Sequence, residues 1–261
     1  WGYLRVRESR SPDIRPGRRL FGLCPMATQV LLRPGRVTEA GFVDTAPHRM
    51  VLSSAYNSYS WLDTDPAYRP TLADELLLLR PLFWLSFMLA DLLAEERLLE
   101  HARTVLITSA SSKAAIGTAH ILSDSGARVV GLTSAAHAEV LIRRGSYQQV
   151  VPYEKVDALE RQPTVLLDIA GGEALREEIS ARLAESLLRT VIAGATHLDP
   201  SAATDAGGAG AESFLFVPER MRTRAHAVGW PELSRRYSSA LLSFAADARE
   251  WLQIAPLRGA D

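Results

Sequence analysis

Residues 103–134 read RTVLITSASSKAAIGTAHILSDSGARVVGLTS, and no other part of the chain says as much about its architecture. The apolar run Val105–Ile107 predicts a short strand, and the small residues Ser109–Ser112 after it predict a turn. A helix is expected over Ala114–Asp124, and Val129–Leu132 predicts a second strand. Strand, turn, helix and strand in this order form one βαβ unit, the part of a doubly wound parallel sheet that holds a dinucleotide.

The alternation of apolar strand and helix continues beyond this unit. Further strands are predicted at Gln149–Pro152, Val165–Asp168, Thr190–Ala193 and Phe214–Val217. Helices are predicted over Ala135–Arg143 and Ala174–Leu187, and a loop over Pro200–Gly210 precedes the last strand. The strands are solid apolar runs, as expected when helices cover both faces of a parallel sheet. We therefore predict an α/β fold in which residues 101–218 form a doubly wound parallel sheet of the Rossmann type.

The remainder of the chain divides into three parts. Residues 1–55 contain short apolar runs separated by proline-glycine turns, a pattern typical of β structure. Residues 56–100 predict a linker followed by crossover helices, with a break at Pro81 because proline disrupts a helix interior. Residues 219–261 predict a C-terminal helical segment.

Composition limits the kinds of partner and compartment. The formal net charge of -1 argues against nucleic acid as the main partner. Cys24 is the only cysteine, so no disulfide forms within the chain, and a cytoplasmic location fits. The apolar run Leu82–Ala90 is too short to span a bilayer, so we expect no membrane partner. The chain opens on Trp1 instead of methionine, and we expect the natural protein to begin with a further segment.

The turn after the first strand of the βαβ unit suits a diphosphate. All four of its residues are small: Ser109, Ala110, Ser111 and Ser112. Backbone N–H groups and the positive end of the following helix are therefore open to a phosphate. Gly117 permits close packing of helix and strand, whereas Lys113 either neutralises a phosphate or lies in solvent. A full G-x-G-x-x-G is missing, so a βα connection without a ligand is the alternative.

The end of the second strand favours NADP(H) over NAD(H). An acidic residue at this position would bind the ribose hydroxyls of NAD. Thr133, Ser134 and His137 stand there instead, and no carboxylate repels a 2′-phosphate. Ser134 and His137, together with Arg143 or Arg144, could bind that phosphate.

Other catalytic signatures are missing from the sequence. Neither the phosphate-loop motif nor the G-x-S-x-G elbow occurs. No tyrosine precedes either lysine, Lys113 or Lys155, by four positions, so the catalytic pair of short-chain dehydrogenases is absent. The histidines form no H-x-x-x-H pair, and the sequence predicts no metal site.

Several segments follow one another in an order that is known from an enzyme superfamily. They are Asp13–Gly22 (DIRPGRRLFG), Val105–Gly117, Gly145–Tyr153 (GSYQQVVPY), Val165–Gly172 (VLLDIAGG) and Val191–Ala195 (VIAGA). In this order they resemble the medium-chain dehydrogenase/reductase superfamily, on its zinc-independent quinone- and enoyl-reductase side. The phrases CPMATQVLLRPGRV, DTAPHR, TSASSKAAIG, VVGLTS and FVPERM are similar to the family known as domain of unknown function 2855.

The resemblance implies a place for the cofactor. Residues 1–55 would be the remainder of a GroES-like β domain, and the nicotinamide would lie between the domains at the carboxyl ends of the strands. Gly171, Gly194 and Thr196 would then contact the cofactor. The chain departs from the superfamily at its nucleotide turn, where Ser112-Lys113-Ala114-Ala115 replaces a double glycine.

Two residues are candidates for the chemistry. His197 would donate a proton to the substrate after hydride transfer, or it is a surface or packing residue. Tyr56 would bind a substrate carbonyl, or it only packs at the domain junction.

The implied activity is hydride transfer from NADPH to a polarised C=C or C=O of a small-molecule substrate such as a quinone, enone or enoyl compound. One alternative is a non-catalytic nucleotide-binding sensor or scaffold protein of the same fold. Another is a partner-dependent enoyl reductase that acts on carrier-bound acyl groups. In either case a homodimer would form through the edge strand Phe214–Val217.

Overall fold

The computed structural model describes residues 1–169, 172–193 and 211–257. The chain forms two compact units. The first comprises Trp1–Pro81 and Val228–Asp261, and the second comprises Leu82–Ala227. The second unit starts earlier and ends later than the range 101–218 that we expect for the sheet, because helical segments on either side belong to it.

The first unit contains a four-stranded antiparallel sheet. In order across the sheet its strands are β1 (Gly2–Arg5), β2 (Arg19–Gly22), β4 (Ser58–Trp61) and β3 (Gly41–Val43). The prediction of a linker from residue 56 is wrong for β4. Its residues alternate, with Tyr59 and Trp61 in the core and Ser58 and Ser60 outside it, which is the period of a half-buried strand.

Three helices contribute to this unit, namely α1 (Ser54–Asn57), the first part of α2 (Ala73–Glu95) and α7 (Trp230–Ala248). The predicted break at Pro81 is also wrong, because α2 continues through it. Proline costs the helix one hydrogen bond. Buried Leu79 on one side and Phe83 on the other show why both turns stay helical, since burial of apolar side chains outweighs a local propensity.

The segment Pro70–Glu95 is long and apolar enough to cross a membrane by length and composition alone. More than half of its most apolar window, 56%, is buried within the protein. In the second unit, Asp91 of α2 accepts hydrogen bonds from Arg220 and Arg224. The helix therefore has the character of a core helix that carries charged partners.

The second unit is built on six parallel strands. In chain order they are β5 (Thr104–Ile107), β6 (Arg128–Thr133), β7 (Gln149–Pro152), β8 (Thr164–Ile169), β9 (Leu187–Ala193) and β10 (Ala211–Leu215). Across the sheet the order is β10-β9-β8-β5-β6-β7. The first three strands thus lie on one side and the last three on the other, which is the strand order of the Rossmann fold. The predicted fold class is confirmed.

Among the described residues, the second part of α2 and four further helices accompany these strands. The four are α3 (Lys113–Leu122), α4 (Ala135–Arg144), α5 (Glu173–Leu183) and α6 (Val217–Val228). The predicted edge strand is displaced, since β10 ends at Leu215 and Val217 already begins α6. Pro218 explains the early end of the strand, because proline fits the first turn of a helix but cannot donate to a sheet ladder.

The crevice of this unit lies where the strand order reverses. Strands β5 and β8 are neighbours in register, with Ile107 beside Leu167. The chain leaves β5 towards β6 and leaves β8 towards β9, in opposite directions along the sheet. In open α/β sheets, ligands bind beyond the carboxyl ends of two such strands. The turn that follows β5 is therefore the place to look for a site.

Candidate functional site

Backbone hydrogen bonds, within the turn and to β6, hold the turn between β5 and α3. The Ser112 N–H donates to the Ser109 carbonyl oxygen at 2.8 Å, and the Ala110 N–H donates to the Leu132 carbonyl oxygen of β6 at 2.9 Å. Ser109 adopts a φ of 50°, in the left-handed region that favours glycine. The small residues noted in the sequence are thus bent tightly back over the end of the sheet.

Two tyrosines that flank β7, Tyr147 before the strand and Tyr153 after it, hold this turn. The Tyr153 hydroxyl accepts a hydrogen bond from the Ser109 N–H at 3.0 Å, and the Tyr147 hydroxyl donates to the Ala110 carbonyl oxygen at 2.8 Å. Burial raises the pKa of Tyr147 well above its usual range. Gly131 makes room for this contact, since a Cβ there would lie 2.8 Å from the Ala110 Cβ and 3.0 Å from the Tyr147 ring.

These contacts correct the expectation that the whole turn offers bare amides. The N–H groups of Ser109, Ala110 and Ser112 are all engaged within the protein. Those of Ser111, Lys113 and Ala114 make no hydrogen bond to any described residue. Three N–H groups at the amino end of a helix, where the helix dipole is positive, can still bind one phosphate.

The first turn of α3 is prepared for that role. The Ser112 side chain caps the helix by accepting from the Ala115 N–H at 3.2 Å. Lys113 is half-buried, and within the described ranges it forms no ion pair, so its ammonium is available to an anion. Gly117 is buried in the same helix, as expected for close packing on the sheet. The predicted cofactor residues of this segment are therefore neighbours in space.

The end of β6 brings a second group of predicted residues together. Thr133 is buried at the last position of the strand, so its side chain is not open to a ligand. Ser134 and His137 lie on the first turn of α4, where the Ser134 Oγ is 3.0 Å from the His137 Nδ1. Arg143 forms an exposed ion pair with Glu139 at 3.4 Å, a contact that leaves its guanidinium accessible. The exposed hydroxyl and imidazole pair is the part of this segment that follows β6 directly and could meet a phosphate there.

A buried aspartate at the crevice was missed in the sequence. Asp168, near the end of β8, accepts a hydrogen bond from the Thr108 Oγ1 at 2.6 Å and pairs with Arg176 of α5 at 3.0 Å. The Thr108 Oγ1 in turn accepts from the Ile169 N–H at 2.8 Å. This network ties together the ends of the two strands that flank the crevice. The only feature of the sequence that points to this aspartate is that a carboxylate ends an apolar strand. Its hydrogen-bond partner, Thr108, lies 60 residues away along the chain.

Tyr56, the candidate donor to a substrate carbonyl, belongs to the first unit. It lies on α1 and is 42% exposed, with its ring centroid 6.4 Å from that of Trp1. Its backbone carbonyl accepts a hydrogen bond from Arg49. The other candidates, His197, Gly171, Gly194 and Thr196, lie outside the described residues.

A shallow cleft at the opposite edge of the sheet is a poor candidate. It is lined by residues at the amino ends of the strands, among them Thr104, Arg128 and Gln162. These polar groups satisfy one another or their neighbours, since the Gln162 amide donates to Thr104 at 2.7 Å and Arg128 pairs with Glu160. Ligands of this fold bind at the carboxyl ends instead, so the turn before α3 is the better site.

Solved structures share this fold at low sequence identity. The CurK enoyl reductase is 15% identical, with 95% of this chain and 66% of that chain covered at a TM-score of 0.50. An alcohol dehydrogenase superfamily protein from Novosphingobium aromaticivorans is 17% identical, with coverages of 92% and 64% and a TM-score of 0.45. For AibC the identity is 14%, the coverages are 94% and 73%, and the TM-score is 0.47. The chain thus spans just under two thirds of the length of the first two proteins.

The fold is therefore shared with the CurK enoyl reductase structure. A search of curated proteins found no match. The model of one protein family matches residues 1–261, the full length of the sequence, under the description "Protein of unknown function (DUF2855)". The chain belongs to the DUF2855 family.

Proposed function

We propose that the protein is an NADPH-dependent oxidoreductase that transfers a hydride to a polarised C=C or C=O. The observation that carries the proposal is the amino end of α3, where Ser111, Lys113 and Ala114 leave three N–H groups open beside the crevice. Backbone donors at the switch point of a doubly wound sheet are what a dinucleotide diphosphate requires.

The proposed preference for NADP(H) rests on the start of α4. No carboxylate stands between the end of β6 and Ala138, and Ser134 and His137 present a hydroxyl and an imidazole on the helix surface. A 2′-phosphate would gain hydrogen bonds there and would meet no negative charge before Glu139.

The bound cofactor would supply the hydride, and the protein would orient the reactants and exclude water. In this proposal Gly171, Gly194 and Thr196 contact the cofactor. His197 donates the proton that completes the reduction, and Tyr56 holds the carbonyl oxygen of a small-molecule substrate such as a quinone, enone or enoyl compound.

A second candidate function is a nucleotide-binding sensor or scaffold without catalysis. The observation in its favour is the clamped turn, in which the Tyr153 hydroxyl already occupies the Ser109 N–H and Leu132 occupies that of Ala110. A turn with half of its donors engaged would bind a dinucleotide more weakly than a glycine turn. Weak binding is compatible with sensing as well as with turnover.

A fluorescence titration with NADPH and NADH tests the cofactor assignment. We expect tighter binding of NADPH, and we expect Ser134→Asp to weaken NADPH binding about tenfold or more while NADH binding stays within about twofold, because a carboxylate repels the 2′-phosphate. The matched control is Ser123→Asp, which adds the same charge at the carboxyl end of α3, whereas the proposed diphosphate site lies at the amino end of that helix. Equal binding of the two cofactors by the unmodified protein would refute the assignment.

A turnover assay then separates the two candidate functions. NADPH oxidation is followed with quinones, enones and enoyl thioesters as acceptors. Turnover of any acceptor supports the reductase, whereas measured NADPH binding with no turnover across the panel supports the sensor. Activity that appears only with carrier-bound enoyl groups would indicate the partner-dependent form of the reductase.

We also propose a cytoplasmic homodimer joined through the free edge of β10, with neither nucleic acid nor a membrane as partner. Strand β10 is the last of the parallel sheet, and Phe214 and Phe216 add apolar surface at this edge. Light scattering should give twice the mass of the chain, and a monomer would contradict this proposal.

A further inference from the structure

The hairpin of β1 and β2 carries an unusual concentration of arginine. Residues 5–19 contain six arginines, Arg5, Arg7, Arg10, Arg15, Arg18 and Arg19, against only Glu8 and Asp13. The segment thus has four more positive than negative charges. Because the whole chain has a net charge of -1, all other residues together are five charges negative. Positive charge is therefore concentrated in this one hairpin.

One of the six arginines is neutralised within the protein. The Arg18 side chain forms an ion pair with Asp63 at 3.0 Å and its guanidinium lies 4.0 Å above the Trp61 ring. The other five are exposed, and none of them forms an ion pair with a described residue. We call these five, Arg5, Arg7, Arg10, Arg15 and Arg19, the arginine face.

The arginine face contains like charges that the sheet holds close together. Arg5 and Arg19 are direct cross-strand partners, and Arg7 follows Arg5 by two residues, about 7 Å along an extended chain. Like charges directly opposite each other on two strands destabilise a sheet. An anion that binds between the guanidinium groups would remove this repulsion, so the hairpin is better suited to the bound state than to the free one.

We propose that the arginine face is the docking surface for a protein partner that presents a patch of aspartate and glutamate side chains. Guanidinium groups bind carboxylates through paired hydrogen bonds, and several exposed guanidinium groups can bind one acidic patch together. The proposal goes beyond the reductase assignment and does not depend on it.

The charge distribution favours an acidic protein over other polyanions. A compact acidic patch contacts the hairpin alone. A nucleic acid or an anionic membrane extends farther than the screening length of about 8 Å. Outside the hairpin the first unit has a net charge of -1, so such a partner would find no further excess of positive charge there.

The probe for this surface is a fluorescent poly-L-glutamate peptide of about 20 residues, titrated with the full chain at low and at physiological salt. We expect saturable binding that weakens with salt. The variant R5Q/R7Q/R19Q should bind about tenfold or more weakly, since three contacts are removed. The control R36Q/R103Q/R222Q removes three exposed arginines that form no ion pair with a described residue, and its affinity should change less than about twofold.

Three results would overturn the proposal. The first is that the unmodified protein does not bind the peptide. The second is that the two triple variants lose the same affinity. The third is that an oligonucleotide of 20 thymidines, or phosphatidylserine vesicles, bind more tightly than poly-L-glutamate and depend on the arginine face in the same way. Circular dichroism verifies the fold of each variant. Should R5Q/R7Q/R19Q not fold, R7Q/R10Q replaces it, because both residues lie outside the strands, and a loss of about threefold or more is expected.

Discussion

Ser109 occupies a backbone conformation that glycine adopts without strain and serine does not. Its φ of 50° turns the chain sharply from β5 towards α3. The hydrogen bond from its N–H to the Tyr153 hydroxyl helps to hold this conformation. The residue thus fills the place of a turn glycine, with a side chain that remains small enough to leave the turn open.

Substitution at this position should follow the requirements of the left-handed backbone. We expect Ser109→Val to lower the free energy of unfolding by about 1–2 kcal/mol relative to Ser109→Gly, because a β-branched side chain clashes with the backbone at positive φ. Urea denaturation followed by circular dichroism measures the difference. Equal stability of the two variants would mean that the turn relaxes out of the left-handed region.

At the scale of the element, α2 contains a proline in its interior, a position where proline normally destabilises a helix. Pro81 donates no hydrogen bond to the turn before it, and the helix nevertheless continues to Glu95. We expect Pro81→Ala to raise the free energy of unfolding by about 1–3 kcal/mol, since the missing N–H is restored. Thermal and urea unfolding test this, and a loss of stability would show that the proline ring makes packing contacts worth more than the hydrogen bond.

The pairing of α2 with α6 depends on charge as well as on apolar packing. Arg224 is buried and forms ion pairs with Asp91 at 2.6 Å and Glu95 at 2.7 Å, and its hydrogen bond to Asp91 raises the pKa of the guanidinium. Arg224→Met should cost about 2–4 kcal/mol of stability, because Asp91 loses its main partner. Arg222→Met, on the exposed side of the same helix, should cost less than about 0.5 kcal/mol. Similar losses in both variants would contradict the role of the ion pairs.

For the whole molecule, buried tyrosines set the response to alkaline pH. Burial raises the pKa of Tyr3 to about 12 and raises those of Tyr147 and Tyr237 further. In the unfolded chain these hydroxyls ionise near pH 10, whereas in the folded protein they stay neutral. Stability contributed by this difference is complete below pH 10 and is lost as the pH rises towards the folded values.

We therefore expect the melting temperature to fall steeply between pH 10 and pH 12, and to fall less in the variant Tyr147→Phe/Tyr237→Phe. We expect the double variant to be less stable than the unmodified protein at pH 8, because it loses the hydrogen bond from the Tyr147 hydroxyl to the Ala110 carbonyl oxygen. Scanning calorimetry from pH 8 to pH 12 measures both effects. Parallel curves for the two proteins would assign the alkaline loss to other groups.

How much of the site could be foreseen depended on the separation of its parts along the chain. The small residues 109–112, Lys113 and the absence of an acid after β6 are local features, and one sequence displays them. Tyr147 and Tyr153 lie 37 and 44 positions from the turn residues that they bind, and Asp168 lies 60 positions from Thr108. Pairings over such distances follow from strand order and register, which composition and periodicity do not specify.

The amino-acid sequence by itself determined the type of sheet, because solid apolar strands alternating with amphipathic helices have few ways to bury their surfaces. It also determined that the turn before α3 consists of small residues and that no carboxylate follows the end of β6. Tertiary structure alone decided which amides of that turn remain open, since hydrogen bonds to Tyr153 and Leu132 engage the others. It likewise decided that Pro81 lies inside a helix, because burial of neighbouring side chains overrode the local signal. It also decided that β4 pairs with β2 and β3, because pairing between strands that are distant along the chain is not a local feature.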